Sequence, residues 1–286
     1  MNSNRYKFID EKREHLHTLD SKPLLGTTTI INETLNKPLA FWASGMCAEK
    51  FGWINPKKHN AQEVFMAAEH GLNVLGQFFS TPLEGLSKYD TNRYIKFLDE
   101  AYRAHNVKKE SRAVEGTNLH AEAESYIKCK METGESFLPS PLLTPFIMWC
   151  EKNVKHFLFS EIHCYSERLW VGGKTDFGYE SMDGEYVLAD IKSRDKVYFS
   201  DFVQCGGYDI QIQENQGLNK NGNIIFDFPI DLGEILQHRF NAHAIFPLGE
   251  NFKEPVISRE TEKNRQAFEN CVSLYKLKKE FENDLS

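Results

Sequence analysis

The sequence predicts an α/β fold: a mixed central sheet flanked by helices, behind a helical N-terminal third. Two patterns carry that expectation. Apolar residues recur near helical spacing in the first third, and from about His156 the period shifts toward two. Three extended runs, His156 to Tyr165, Leu169 to Tyr179 and Tyr186 to Ser193, then lead into a helical stretch and further short runs.

Composition sets the outer limits. With 41% hydrophobic and 26% charged residues in 286, the chain can bury a core and is not of the disordered class. That length suits one large domain or a compact domain with an accessory lobe. The formal net charge of -7 argues weakly against a nucleic-acid partner, although neighbouring Lys and Arg can still form a local track. No run of eighteen or more apolar residues occurs, so no membrane partner is expected. The first residues, MNSNRYKFIDEKREHLH, lack the apolar stretch of a signal peptide, and the expected location is intracellular, in cytoplasm or nucleoid, with a viral origin compatible. Six widely separated cysteines without a Cys-x-x-Cys pair read as reduced, mostly packed thiols.

Residues 1 to 26 are polar and end at Lys22-Pro23-Leu24-Leu25-Gly26, the mark of an entry arm or strand and a turn. Thr27 to Phe51 reads as two short helices broken at Lys37-Pro38, because the residue before proline is pushed out of the α region. Ala61 to Phe79 carries Ala67, Gly71, Val74, Leu75 and Phe78 near helical spacing. Leu86 to Val107 interleaves aromatic and basic residues, which fits either a base-stacking surface or an amphipathic helix with its aromatics in the core. A new helix is expected to open at Gly116-Thr117, with Thr117 as N-cap, and to stop at Gly134. A proline-rich loop to Pro145 and a helix from Phe146 to Val154 follow. Asp201 and Gln204 suggest a capping box opening a helix to about Gln213, and strands are expected at Asn223 to Phe228 and His243 to Leu248. In the final helix, from about Arg259, Phe268, Cys271, Val272 and Tyr275 form a packing stripe.

Chemistry concentrates between Trp170 and Tyr208. Strand alternation puts Asp190 and Lys192 on one face and Val187, Ala189 and Ile191 on the other. The second face belongs against the core, leaving the first free for Asp and Lys. Whether Asp176 joins them depends on the turn. A two-residue Asp183-Gly184 loop sets Asp176 opposite Ile191, whereas a three-residue loop of Met182, Asp183 and Gly184 sets it opposite Asp190. The three-residue loop, or an equivalent bulge, is the expectation. Two apposed carboxylates repel unless a cation lies between them, and hard oxygen ligands suit Mg²⁺ or Mn²⁺. His120 can add an imidazole, and Lys192 can orient a water or stabilise an oxyanion. Each element has a plainer reading: a salt-bridged strand face, a packed helix histidine, and an ordinary helix-surface pair at Gln204 and Tyr208.

The ordered set GTNLH (Gly116 to His120), GKTD (Gly173 to Asp176), DIK (Asp190 to Lys192) and QCGGY (Gln204 to Tyr208) resembles the motifs of the RecB-like exonuclease branch of the PD-(D/E)XK nuclease superfamily. The motifs cover roughly residues 110 to 230. More loosely, TTTIINETLNKPLAFWASGMCAEKF is similar to the N-terminal segment of phage exonucleases and of the mitochondrial genome maintenance exonuclease group. The resemblance implies a restriction-endonuclease-like αβββαβ core over 110–286 and an N-terminal helical lobe over 1–109 packed on it. It implies a metal-dependent DNA exonuclease acting in replication, repair or recombination on single-stranded or flapped ends. A lambda-type double-strand exonuclease and an inactive DNA-binding protein on the same fold are the alternatives. It further implies metal ligands His120, Asp176, Asp190 and the Ile191 carbonyl, with Glu161 as an additional candidate and Glu167 a poorer one. Lys192 is the implied catalytic lysine, beside Asp176 and Asp190. Gln204, Tyr208, Thr117, Lys174 and Glu124 are implied DNA-binding or supporting residues. DNA is the implied partner, with replication or recombination proteins beside it. The four-cysteine iron–sulfur pattern of some members is absent, so no cluster is expected.

Overall fold

The computed structural model describes residues 5–11, 14–35, 39–54, 59–79, 88–135, 139–227, 240–248 and 252–284. It divides into two compact units, Met1–Asn36 with Gly116–Ser286, and Lys37–Glu115. This boundary differs from the expected one at 109/110: the first 36 residues belong with the larger unit, because their strands pair there.

The smaller unit is helical. It contains α2 (Leu39–Glu49), α3 (Ala61–Phe79) and the first part of α4 (Lys88–Thr133). The break between the first two helices of the chain lies around 36–38, outside the described residues. After α2 the chain turns against α3 at Gly71, where an added Cβ would lie 2.3 Å from the Phe51 carbonyl oxygen. Phe97 packs edge-on to Phe51, ring centroids 5.3 Å apart, while Tyr102 is 72% exposed. The aromatic side chains of α4 thus divide between packing and solvent, and those of Tyr89 and Tyr94 lie outside the described residues.

In the larger unit, β1 (Tyr6–Glu11), β2 (Glu14–Leu19) and β3 (Lys22–Pro23) form an antiparallel meander. The main sheet contains β4 (Leu25–Gly26), β5 (Val154–Ser166), β6 (Val171–Ser181), β7 (Tyr186–Lys192), β8 (Gly217–Leu218), β9 (Ile224–Phe226), β10 (Ala242–Pro247) and β11 (Val256–Ser258). Their order is β11-β10-β7-β6-β5-β8-β9, with β4 beside β6. The sheet is mixed: β5, β6 and β7 are antiparallel, whereas β10 runs parallel to β7 and β4 parallel to β6. The α/β class and the three central strands match the sequence expectation. The two-residue strands β4 and β8 and the three-residue β11 were not expected, being too short to show a period.

Helices cover both faces. On one, α4 and α5 (Thr144–Asn153) place Leu119, Ala123, Tyr126, Ile127 and Phe146 over Phe177, Val187, Ala189, Ile191 and Phe246. On the other, α6 (Phe199–Asn215) packs Cys205, Tyr208 and Ile212 on Phe159, Ile162, Leu188 and Ile245. Behind α6 lie α1 (Thr27–Thr34) and α7 (Thr261–Asp284), whose Phe268, Cys271, Val272 and Tyr275 are all buried as their spacing predicts. Gly206 lets α7 approach: an added Cβ there would lie 2.3 Å from the Asn264 carbonyl oxygen. A buried polar knot joins α6, β10 and α7. Asn264 Nδ2 donates to His243 Nδ1, which leaves the His243 Nε2–H for Asp209 Oδ2 at 3.0 Å, and Arg265 completes that carboxylate at 2.7 Å.

Two corrections concern helix starts. No helix begins at Thr117, because α4 runs unbroken from Lys88 to Thr133 and Gly116 lies inside it. Asp201 does not open its helix; it is the third residue of α6, and its carboxylate accepts the Tyr198 N–H at 2.8 Å. The Gly134 stop is present, with φ at +73°.

Beneath the meander, His17 and His163 are 9% and 7% exposed, and Tyr6 Oη lies 2.6 Å from His17 Nδ1. Burial pushes His17 down to about 3 and His163 to about 4, so both fold neutral. A depressed folded-state pKa means that the unfolded chain binds the proton first. Each contribution is therefore full above pH ~6.5 and lost as pH falls toward the folded value. His163→Leu should gain stability relative to wild type between about pH 6.5 and pH 4, by roughly 3 kcal/mol at the acid end. Urea melts across that range measure it, and a pH-independent difference would contradict neutral burial.

Candidate functional site

The hairpin turn sets the site. Ser181 N–H donates to Glu185 O at 2.8 Å and Gly184 N–H to Ser181 O at 2.9 Å, closing a loop of Met182, Asp183 and Gly184. Gly184 takes φ +82°, a left-handed value that a Cβ would penalise by about 1 kcal/mol. This is the expected three-residue loop. The paired register ends at Phe177↔Ala189, and one further step in the same register sets Asp176 opposite Asp190.

At that step the sheet forks. Regular pairing of β6 with β7 ends at Phe177↔Ala189, and at Val171 and Gly172 the same side of β6 pairs with β4 instead. In the gap Asp176 Oδ2 accepts the Ile191 N–H at 2.7 Å, so a side chain replaces the missing strand partner. From α4, His120 Nδ1 lies 3.6 Å from Asp176 Oδ1. Gly116 permits this approach, since a Cβ there would meet Ser193 Oγ at 2.5 Å.

Asp190 and Lys192 share the strand face opposite Val187, Ala189 and Ile191, as alternation requires. That face is not free: α6 covers it, and Asp190 is 3% exposed. Lys192 Nζ lies 2.5 Å from Asp190 Oδ2, a buried ion pair. Lys192 Nζ also donates to Gln204 Oε1 at 3.1 Å, and Gln204 Nε2 to Tyr208 Oη at 2.7 Å. Gln204 and Tyr208 thus act as a chain that holds the lysine from behind.

Burial and mutual charge set the protonation states. Burial pushes the Asp176 carboxyl up, but His120, the Ile191 N–H and Lys192 together outweigh it and hold it below the ordinary range. Asp190 goes the other way: burial raises it, Lys192 pulls back, and the charge on Asp176 adds to the rise. Burial lowers Lys192, yet Asp190 and Asp176 hold it above its usual value. The same balance holds for His120, where Asp176 outweighs burial. Two acids of opposite tendency beside one lysine are an arrangement that recurs at catalytic centres.

Glu161 stands opposite Asp176 on the other side, since Ser160 pairs with Phe177 and Ile162 with Thr175. Its φ of +46° is strained for a non-glycine residue, and Lys174 pairs with it at 2.8 Å. His120, Glu124, Ile127, Glu161, Asp176, Phe177 and Ile191 line a cavity of about 10 Å³. That volume is about the size of one water or ion. Glu124 is also paired with Lys128. Glu167 is elsewhere, 3.0 Å from Arg5. Thr117 is helical in backbone, and its side chain lies outside the described residues.

Among the described residues, no three His, Cys, Asp or Glu side chains are gathered closely enough to hold a metal as they stand. The donor chemistry nevertheless fits a hard divalent cation, because the carboxylates of Asp176 and Asp190 and the His120 imidazole are oxygen and nitrogen donors of the kind such a cation takes. Sequence reasoning missed Thr27 and read Asp201 only as a helix cap. Thr27 Oγ1 donates to Gly172 O at 3.2 Å and accepts Gln211 Nε2 at 2.8 Å, and with the Tyr208 ring it fills the space a Cβ on Gly173 would need. Asp201 binds Arg194 Nη2 at 2.5 Å. The Gly172-Gly173 pair was the one visible signal of such close packing.

No helix of the described residues is long and apolar enough to cross a membrane. No protein-family model matches the chain, and no curated protein matches it.

The Gly116–Ser193 contact is testable. Gly116→Val should cost about 1–3 kcal/mol in denaturant unfolding, and Ser193→Gly in the same chain should recover about 1 kcal/mol. Strict additivity of the two changes would remove the contact from the account of how His120 is placed.

Proposed function

We propose that the chain is a divalent-metal-dependent DNA exonuclease with a PD-(D/E)XK core, acting on single-stranded or flapped ends in replication, repair or recombination. The observation that carries the reading is the apposition of Asp176 and Asp190 at the fork of the sheet, with Lys192 two residues further on. The succession α4, α5, β5, β6, β7, α6, β8, β9 and β10, which contains a helix, three strands, a helix and a strand in that order, supports the reading.

His120, Asp176, Asp190 and the Ile191 carbonyl would hold Mg²⁺ or Mn²⁺, with Glu161 as a further carboxylate. When bound, such a cation polarises a phosphodiester oxygen and lowers the pKa of a coordinated water. The chain's own groups then have separate tasks. Lys192, kept charged by two buried carboxylates, orients the attacking water or donates to the oxygen on which charge develops. Gln204 and Tyr208 keep its ammonium directed at the strand end. Gly116 lets α4 bring His120 to Asp176. Hydrolysis breaks the phosphorus–oxygen bond to the leaving nucleotide and transfers the water oxygen to phosphorus. No iron–sulfur cluster enters the proposal, and an iron and sulfide assay on fresh protein tests that part.

The decisive experiment is a time course on end-labelled single-stranded DNA with Mg²⁺ or Mn²⁺, comparing 5′ and 3′ labels, a blunt duplex and a closed circle. Nucleotide release should depend on metal and cease with chelator. Lys192→Ala and Asp190→Ala should each lower the rate at least about a hundredfold while remaining folded. Added metal should raise the melting temperature of wild type but not of an Asp176→Ala, Asp190→Ala variant. Full activity in Lys192→Ala would overturn the mechanism, and cleavage of the circle would replace exonuclease with endonuclease.

A further inference from the structure

Glu124, Glu161 and Asp176 line the cavity together with His120. Each of these carboxylates is met by a basic group: Asp176 by His120 at 3.6 Å, Glu124 by Lys128, and Glu161 by Lys174 at 2.8 Å. The three pairs differ in kind. His120 belongs to the proposed ligand set, and Lys128 follows Glu124 by one turn of α4, an ordinary helix-surface pair. Lys174 instead stands opposite His163 on the neighbouring strand and reaches diagonally to Glu161.

Glu161 is set on the cavity wall by its backbone. Phe159 and Ile162 pack in the same core layer beneath α6, whereas regular alternation puts residues three apart on opposite faces. The break falls at Glu161, with its φ of +46°. Strain of this kind persists where the surrounding structure fixes it. The carboxylate is therefore held in place, and its partner is the part free to change.

Lys174 is held by that one pair. Among the described residues Glu161 is its one hydrogen-bond or ion-pair partner, and its side chain is 39% exposed. Ion pairs this open to water are weak. Lys192 is the contrast: its side chain is 18% exposed, paired with Asp190 and hydrogen-bonded to Gln204. Away from Glu161, Lys174 lines a groove of about 460 Å³ with Gly172, Gly173 and Thr27 to Thr29, and it is the one lysine or arginine among the described lining residues. The ammonium has room there to leave Glu161 and stay hydrated.

Resting on the nuclease reading above, we propose that Lys174 and a divalent cation compete for the Glu161 carboxylate, the ammonium moving into the groove when the cation binds. Without the cation, the lysine offsets the repulsion of Glu161 with the other carboxylates of the cavity. With it, two positive groups at one carboxylate repel, and the weakly held one leaves. Metal affinity is then lower than the donor set alone would give, and the difference resides in one ion pair. Lys174 is in this sense a positioning residue for Glu161.

The test is titration of the metal-stripped full chain with Mn²⁺ alone, followed by calorimetry and by loss of the free Mn²⁺ spin-resonance signal. Lys174→Met should bind Mn²⁺ about fivefold more tightly than wild type, and Lys174→Arg, which keeps the pair, should return to wild-type affinity. In a Glu161→Gln background, Lys174→Met should bring no further gain. Equal affinity of wild type and Lys174→Met overturns the competition. The same gain with and without Glu161 also overturns it, because the lysine then acts only through its field on the whole site. Should Lys174→Met fail to fold, a crystal structure of the wild-type chain with Mn²⁺ decides: Lys174 Nζ should lie beyond hydrogen-bond reach of Glu161, and an intact pair beside bound metal overturns the proposal. Wild type and variants that all fail to bind Mn²⁺ overturn the metal site and the competition together. Binding that follows the expected pattern without any cleavage of DNA overturns the nuclease reading and leaves the competition standing.

Discussion

The Asp176 carboxylate accepting the Ile191 N–H is the interaction on which the rest of the site depends. It occurs where β7 parts from β6 and before β4 takes its place, so the backbone there has lost its strand partner. An unpaired buried N–H costs about 1–3 kcal/mol, and the carboxylate removes that cost while its other oxygen stays available to His120. The fork thus holds Asp176 in one orientation and keeps it next to Asp190. Register makes the apposition possible, and a turn one residue shorter would point Asp176 away from it.

Everything nearby adjusts to two adjacent acids. Burial under α6 would favour neutral carboxyls, yet Lys192 and His120 lie close enough to keep charge in the site. Removing either cation would leave a buried charge unmatched, the costly case for interior ion pairs. Gln204 and Tyr208 remain hydrogen-bonded to each other and to Lys192, so the lysine is held by neutral groups as well as by charge. The strained backbone at Glu161 belongs to the same economy of space, placing a third carboxylate at the rim of the cavity.

Close packing between elements explains several glycines that would otherwise weaken their helices or strands. Gly116 admits Ser193, Gly173 admits Tyr208 and Thr27, and Gly206 admits the backbone of α7. In each case the missing Cβ brings a site-bearing element nearer to its neighbour. The cost of a mid-helix glycine, about 1 kcal/mol, is set against that approach.

The sequence alone determined what depends on neighbours along the chain. The two-residue period fixed which face Asp190 and Lys192 occupy, Met182-Asp183-Gly184 fixed the turn and hence the register, and the spacing from Phe268 to Tyr275 fixed the buried stripe of α7. Tertiary structure decided what depends on residues distant in sequence. Gly116-Thr117 has the look of a helix start, but α4 continues through it because the glycine serves a contact with Ser193. The Asp190 face looked open and is closed by α6, since alternation cannot say what packs on a strand. The fork at Asp176 and the left-handed backbone at Glu161 arise from where strands part and join, and two-residue strands such as β4 are too short to carry any period of their own.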